Sequence, residues 1–347
     1  MYRFSGIFFL LLLSSFFINA QQDKTYAEKL GWPKNAKVII FHVDDAGMSY
    51  SSNQGAIQSI EKGIATSCSI MMPTPWAASF SKYVIAHPNI DAGLHLTLTS
   101  EWDDYRWGPL CGKKQVPGLT DTEGALWSSV EEVVAHATAE EVECEIKAQL
   151  ERALTIGLKP THLDSHMGTL FANEAFLKKY IQLGIDNKIP VMFPGGNNKM
   201  LVAPEVEKLK AAGQWKEGMA LPAPYNNEKA RAVGKMIWDA GLPVLDDLHT
   251  NSGDWKPANA EQKSPEWSKY KAQQFITSLK AMQPGLAMII VHSSDITDNF
   301  RHISASGGSR YADMMSMMDP ELKEYIKKEG IILTTWKEVM ERRQKVK

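Results

Sequence analysis

The sequence predicts an α/β fold, a distorted (β/α) barrel, on two observations. Short apolar, β-branched runs alternate with stretches of helical period about seven or eight times, the pattern of a parallel sheet wrapped by helices. Several of those runs end in histidine or aspartate, and parallel barrels gather their active sites at the strand C-termini. The 347 residues are enough for one large α/β domain, read over residues 25–345.

Residues 37–42 (KVIIFH) form a buried strand, followed by a polar turn, Asp44-Asp45-Ala46-Gly47. A helix over 53–62 is closed by Gly63 in the C-cap position. Strands are expected over 66–72 and 90–99, with a helix over 77–87 that stops before Pro88. Residues 101–124 read as a loop carrying Trp102, Trp107, Pro109 and Pro117. A long amphipathic helix over 138–156 ends at Gly157, and a strand follows over 161–166. Beyond it come a helix over 174–184, a short strand over 191–193, helices over 203–212 and 227–240, and a short strand over 243–245. A helix over 266–282 leads into the strongly apolar strand 286–291 (LAMIIV). The chain closes with a helix over 320–329, a strand over 331–334 and a helix over 335–343.

Hydrophobic residues make up 44% and charged residues 22%, which excludes a disordered, collagenous or coiled-coil chain. With 38 basic and 40 acidic residues, nothing favours capture of nucleic acid or of an anionic membrane. Cys68, Cys111 and Cys144 are too few for a disulfide scaffold or a cysteine zinc site, and allow at most one intrachain bridge. Residues 1–20 combine Arg3, an apolar run shorter than a membrane span and a small residue at Ala20. They read as a cleaved secretory signal, so the protein is expected to be secreted or periplasmic, without stable membrane insertion.

The chemistry-bearing residues stand at strand ends: Asp44-Asp45, His95, His162-Leu163-Asp164-Ser165-His166 and His292. Alternation puts His162, Asp164 and His166 on one face. Two imidazoles and a carboxylate suit a divalent metal, which Asp45 and His95 could complete from neighbouring strands. A lone histidine at a strand end is usually only a satisfied polar group. The coincidence of four such ends argues for a site. His87, His136 and His302 lack such partners, and His249 could stand at its periphery.

These segments, with Gly63-Ile64-Ala65-Thr66-Ser67, Gly93-Leu94-His95-Leu96-Thr97-Leu98-Thr99 and Val116-Pro117-Gly118-Leu119, resemble the YdjC-like carbohydrate deacetylases in order and spacing. So does the end, from Ser309-Arg310 to Trp336. The resemblance implies a polysaccharide-deacetylase-like barrel that hydrolyses the acetyl group from an N-acetylated amino sugar. It implies Asp45, His95 and His166 as ligands of one divalent ion, Zn²⁺ or Mg²⁺. It implies Asp44 as the general base and His292 as the general acid, with His162 and Asp164 behind the ligands. Trp102, Trp107 and Arg310 are the expected sugar contacts, because flat rings stack on sugar faces. An O-acetyl esterase, or a carbohydrate-binding protein without turnover, are the alternative readings. The chain departs from the family at Ala46 (usually bulky), Gly168 (usually a further histidine) and Ser293, where the family often has CHP.

Overall fold

The computed structural model describes residues 24–219, 221, 227–258, 260, 261, 263–297 and 299–346; the expected signal segment lies outside them. Seven strands among the described residues form one sheet: β1 (Lys37–Ala46), β2 (Ser67–Ile70), β3 (Ala92–Leu96), β4 (Leu163–Ser165), β5 (Asp247–His249), β6 (Gly285–Val291) and β7 (Ile332–Leu333). Their order is β4-β3-β2-β1-β6-β5, with β7 pairing the start of β1, and every pairing is parallel. The curled sheet is closed by single bridges, Leu163 to Val191 and Pro194 to Leu245. The seam includes Met192 N–H to the Leu163 carbonyl at 2.8 Å and Leu245 N–H to the Phe193 carbonyl at 3.0 Å. The short strands expected over 191–193 and 243–245 are thus reduced to bridges. Pro190, Pro194 and Pro243 remove ladder donors there, and the paired strand begins instead at Asp247.

Alternation sorts the side chains. Ile39, Phe41 and Val43 of β1, with Ala287, Ile289 and Val291 of β6, face the helices. Val38, Ile40, Leu286, Met288 and Ile290 face inward, packed with Leu245, Leu248 and Trp336. Each large apolar side chain buried this way contributes roughly 1.5–3 kcal/mol. The same inward parity continues upward from Ile40 to His42 and Asp44, and from Ile290 to His292. The barrel interior therefore changes from apolar to polar along its axis.

All nine expected helices are present, with shifted ends. The first runs Tyr50–Glu61, capped by the Ser49 side chain; Gly63 lies beyond its Lys62 C-cap and has no left-handed φ. Gly157 does close Ala139–Ile156 in the left-handed region, at φ 95°. Helices Val130–His136 and Gly307–Met317 appear where none was expected. The second begins Gly-Gly-Ser, a poor helical start that tertiary packing overrides. Cys111 and Cys144 form a disulfide that staples the long loop to the helix Ala139–Ile156, and Cys68 is free and buried.

Candidate active site

Two successive aspartates on a regular strand would point to opposite faces. Between Val43 and Ala46 the β1–β2 register slips, and Asp45 takes φ +65°. A β-branched residue would resist that conformation; aspartate tolerates it, at a cost of order 1–3 kcal/mol. The bulge turns Asp45 inward beside Asp44, and Gly47 at φ +90° completes the turn. On β3, Gly93 shares the inward face with His95. A Cβ at Gly93 would come within 2.5 Å of the His162 ring, so glycine lets that ring lie against the strand.

Asp45, His95 and His166 converge at the rim. Asp45 Oδ1 is 3.3 Å from His95 Nε2 and 3.3 Å from His166 Nδ1, and the two ring nitrogens are 3.2 Å apart. All three residues are buried, and Asp45 Oδ1 accepts no hydrogen bond. An orphaned carboxylate oxygen facing two imidazole nitrogens fits a divalent cation. The outer nitrogens are engaged: His95 Nδ1 with Asp164 Oδ1 at 2.7 Å, His166 Nε2 with both Glu101 oxygens at 3.1 Å. Arg310 Nη1 holds Asp45 Oδ2 at 2.6 Å. Burial alone would raise the Asp45 carboxyl, but Arg310 and the two imidazoles outweigh it and hold it well below the carboxylate range. Burial likewise opposes charge on His166, yet Glu101 and Asp45 push it up to about 9. Protons and a divalent cation compete for these nitrogens, so metal uptake releases protons.

A second group lies deeper. His42 Nε2 is 2.9 Å from Asp164 Oδ2, 3.2 Å from Asp44 Oδ1 and 3.0 Å from Ser69 Oγ. Burial disfavours its charge, but Asp164 and Asp44 prevail and raise it to about 9. His162 is fully buried, stacked on Trp336 at 5.2 Å, with Nε2 3.7 Å from Asp164. His162 therefore does not join the rim cluster, although it shares a strand face with Asp164. His42 was missed from the sequence; its i, i+2 spacing to Asp44 was the available signal.

His292 follows β6 on the inward face, with Nε2 3.9 Å from Asp44 Oδ2 and 29% of its side chain exposed. Burial of the inner edge pushes its imidazole below the usual value. Its backbone N–H donates to Asp313 Oδ2 at 3.0 Å, and Asp313 Oδ1 is paired at 2.7 Å with the fully buried Lys271. The unexpected helix Gly307–Met317 supplies both Arg310 and Asp313, one turn apart. His249 points the other way, among Trp255 and Phe275, and takes no part.

Trp107 is 5% exposed, and its indole N–H donates to the Thr99 carbonyl, so it packs the loop and offers no face to a sugar. Trp102 lies against Trp107 and under Arg310. Arg310 stands in the site wall, 9% exposed and held by Asp45. An exposed aromatic pair, Tyr50 (49%) and Trp76 (40%), borders the same turn, with the Trp76 backbone N–H on the Gly47 carbonyl at 3.0 Å.

A family model described as YdjC-like protein matches residues 38–328. A carbohydrate deacetylase of Thermus thermophilus is 28% identical over 305 residues, covering 88% of this chain and 94% of its own. A carbohydrate deacetylase of Thermoanaerobacter pseudethanolicus is 21% identical over 301 residues, covering 86% and 98%. A solved structure from Enterococcus faecalis V583, for which cellobiose-phosphate cleavage has been suggested, superposes with a TM-score of 0.65 at 19% identity, covering 87% of this chain and 98% of that one. That likeness shows the fold.

Proposed function

The chain belongs to the YdjC-like protein family, and from that premise we propose that it is a metal-dependent carbohydrate deacetylase that removes acetyl groups from N-acetylated amino sugars. The observation that carries this reading is the convergence of Asp45, His95 and His166 around the orphaned Asp45 Oδ1, with Asp44 and His292 beside it.

Asp45, His95 and His166 would hold one divalent ion, Zn²⁺ or Mg²⁺. When bound, the ion supplies Lewis-acid polarisation of the acetyl carbonyl and acidifies the attacking water. Asp44 takes the proton of that water as its oxygen bonds to the carbonyl carbon. His292, neutral at rest, sits 3.9 Å away and can receive that proton. It then donates to the sugar nitrogen as the C–N bond breaks, so acetate leaves and an amine remains. The Lys271–Asp313 pair fixes the His292 backbone for this transfer. Arg310 keeps Asp45 ionised and oriented. Asp164 holds the His95 tautomer, and His162 packs behind it. Trp102, Tyr50 and Trp76 are the rings that would meet the sugar.

Residues 1–20 direct the chain out of the cytoplasm, to a secreted or periplasmic site. The Cys111–Cys144 bridge supports this, since such bonds persist in oxidising compartments. The test is acetate release from N-acetylated sugars and chitooligosaccharides by metal-stripped protein, with Zn²⁺, Mg²⁺ or Co²⁺ restored. Metal-dependent release is expected. Release from O-acetylated sugars alone would make the protein an esterase on the same site.

A further inference from the structure

The two imidazoles at the rim are held in mirror fashion. His95 turns Nε2 toward Asp45 Oδ1 and gives Nδ1 to Asp164 at 2.7 Å. His166 turns Nδ1 toward the same oxygen and gives Nε2 to Glu101, both carboxylate oxygens lying at 3.1 Å. A neutral imidazole has one N–H, and a carboxylate can only accept. Each carboxylate therefore fixes the tautomer that leaves the inward nitrogen with its lone pair. Asp164 comes from β4, where alternation places it. Glu101 comes from a loop that no periodicity positions.

That loop is nonetheless fastened on both sides of Glu101. Ser100 N–H donates to the Trp127 carbonyl at 2.8 Å, and Ser100 Oγ accepts from Trp107 N–H at 3.0 Å and Arg106 Nε at 3.3 Å. Arg106 is paired in turn with Asp121 at 2.6 Å. Gly168, two residues after His166, has φ +65°, and nothing lies within 4 Å of where its Cβ would be. The Glu101 side chain is 17% exposed and can be changed without opening the core.

We propose that Glu101 is a positioning residue that fixes His166 with Nδ1 inward and thereby sets the affinity of the rim cluster for a divalent ion. The inference rests on the metal reading of the site, and its test separates the two. Co²⁺ binding to metal-stripped protein is measured by calorimetry, with the visible spectrum of the Co²⁺-loaded form recorded alongside. Glu101→Ala is expected to weaken binding by about 10–100-fold. Its band shape should be unchanged, because the ligand set is the same. Glu101→Gln keeps an acceptor oxygen and should recover most of that loss. Asp104→Ala, an exposed change in the same loop, should alter neither quantity. Wild-type affinity in Glu101→Ala would overturn the proposal and leave the metal site standing. A changed band shape would overturn it by making Glu101 a ligand. Failure of the wild type to take up Co²⁺ would remove the metal reading and the proposal together.

Discussion

Two clusters of identical composition, one aspartate and two histidines each, lie one above the other inside the barrel. The rim cluster is Asp45, His95 and His166; the deeper one is His42, His162 and Asp164. They differ in what saturates them. At the rim, the inward atoms face one another around an orphaned oxygen, and the outward nitrogens are held by Asp164 and Glu101. In the deeper cluster Asp164 Oδ2 and His162 Nε2 likewise lack hydrogen bonds, but no carboxylate among the described residues holds the outward His42 Nδ1, and Trp336 stacks on His162. The difference teaches that residue types and spacing do not define a metal site. Both clusters hold atoms without a partner; what separates them is which ring nitrogens have been oriented from behind by a carboxylate.

The sharpest test falls on the residue between the clusters. Asp44→Asn should lower kcat by about 10²–10⁴-fold while bound metal stays unchanged, read by acetate release and elemental analysis. Full turnover in that variant would remove Asp44 from the chemistry. Asp45→Asn should abolish tight metal binding and also leave Arg310 buried without its counter-charge. Removing one member of a buried pair costs about 3–5 kcal/mol, measurable by denaturant unfolding. The staple of the rim loop comes next. Cys111→Ser opens a bridge of sequence separation 33 and should cost about 3–4 kcal/mol, by the same unfolding measurement. His162→Gln sharpens the contrast from below. It should destabilise by about 2 kcal/mol through lost packing and hydrogen bonding and leave one metal ion per chain. A fall in metal content there would break the comparison and make the deeper cluster a metal site.

The smallest effect concerns the histidine that alternation turned out of the interior. Burial lowers His249 to about 4. As pH falls below 6.5 the unfolded chain takes up a proton that the folded chain refuses, so stability is full above 6.5 and declines toward 4. His249→Asn lacks that decline. Relative to wild type it should gain about 2 kcal/mol between pH 7 and pH 4.5. Asp247, raised by burial to about 6, slopes the other way in both proteins and cancels in the difference. A difference independent of pH would show that His249 titrates normally.

Much was legible in the sequence, because period-two alternation carries across the whole barrel. The run 38–40–42–44 and its counterpart 286–288–290–292 assign an apolar floor and a polar rim from residue types alone. His95 and Asp164 fall on the inward face by the same rule, and Gly157 closes its helix because only glycine sits easily at that φ. Residue chemistry grouped His162, Asp164 and His166 with Asp45 and His95, and the family resemblance narrowed the expected ligands to Asp45, His95 and His166. Tertiary structure decided the rest. The bulge that turns Asp45 beside Asp44 depends on β2 being one residue short opposite it. Glu101 reaches His166 through a loop fixed by contacts from residues 106 to 127. Arg310 and Asp313 arrive on a helix whose Gly-Gly start argues against helix until helix Pro265–Ala281 and β6 pack against it. Trp107 and His249 have the residue types of a site and point elsewhere. Local pattern fixes which face a side chain takes; only the closed sheet and its packed loops fix which atoms meet.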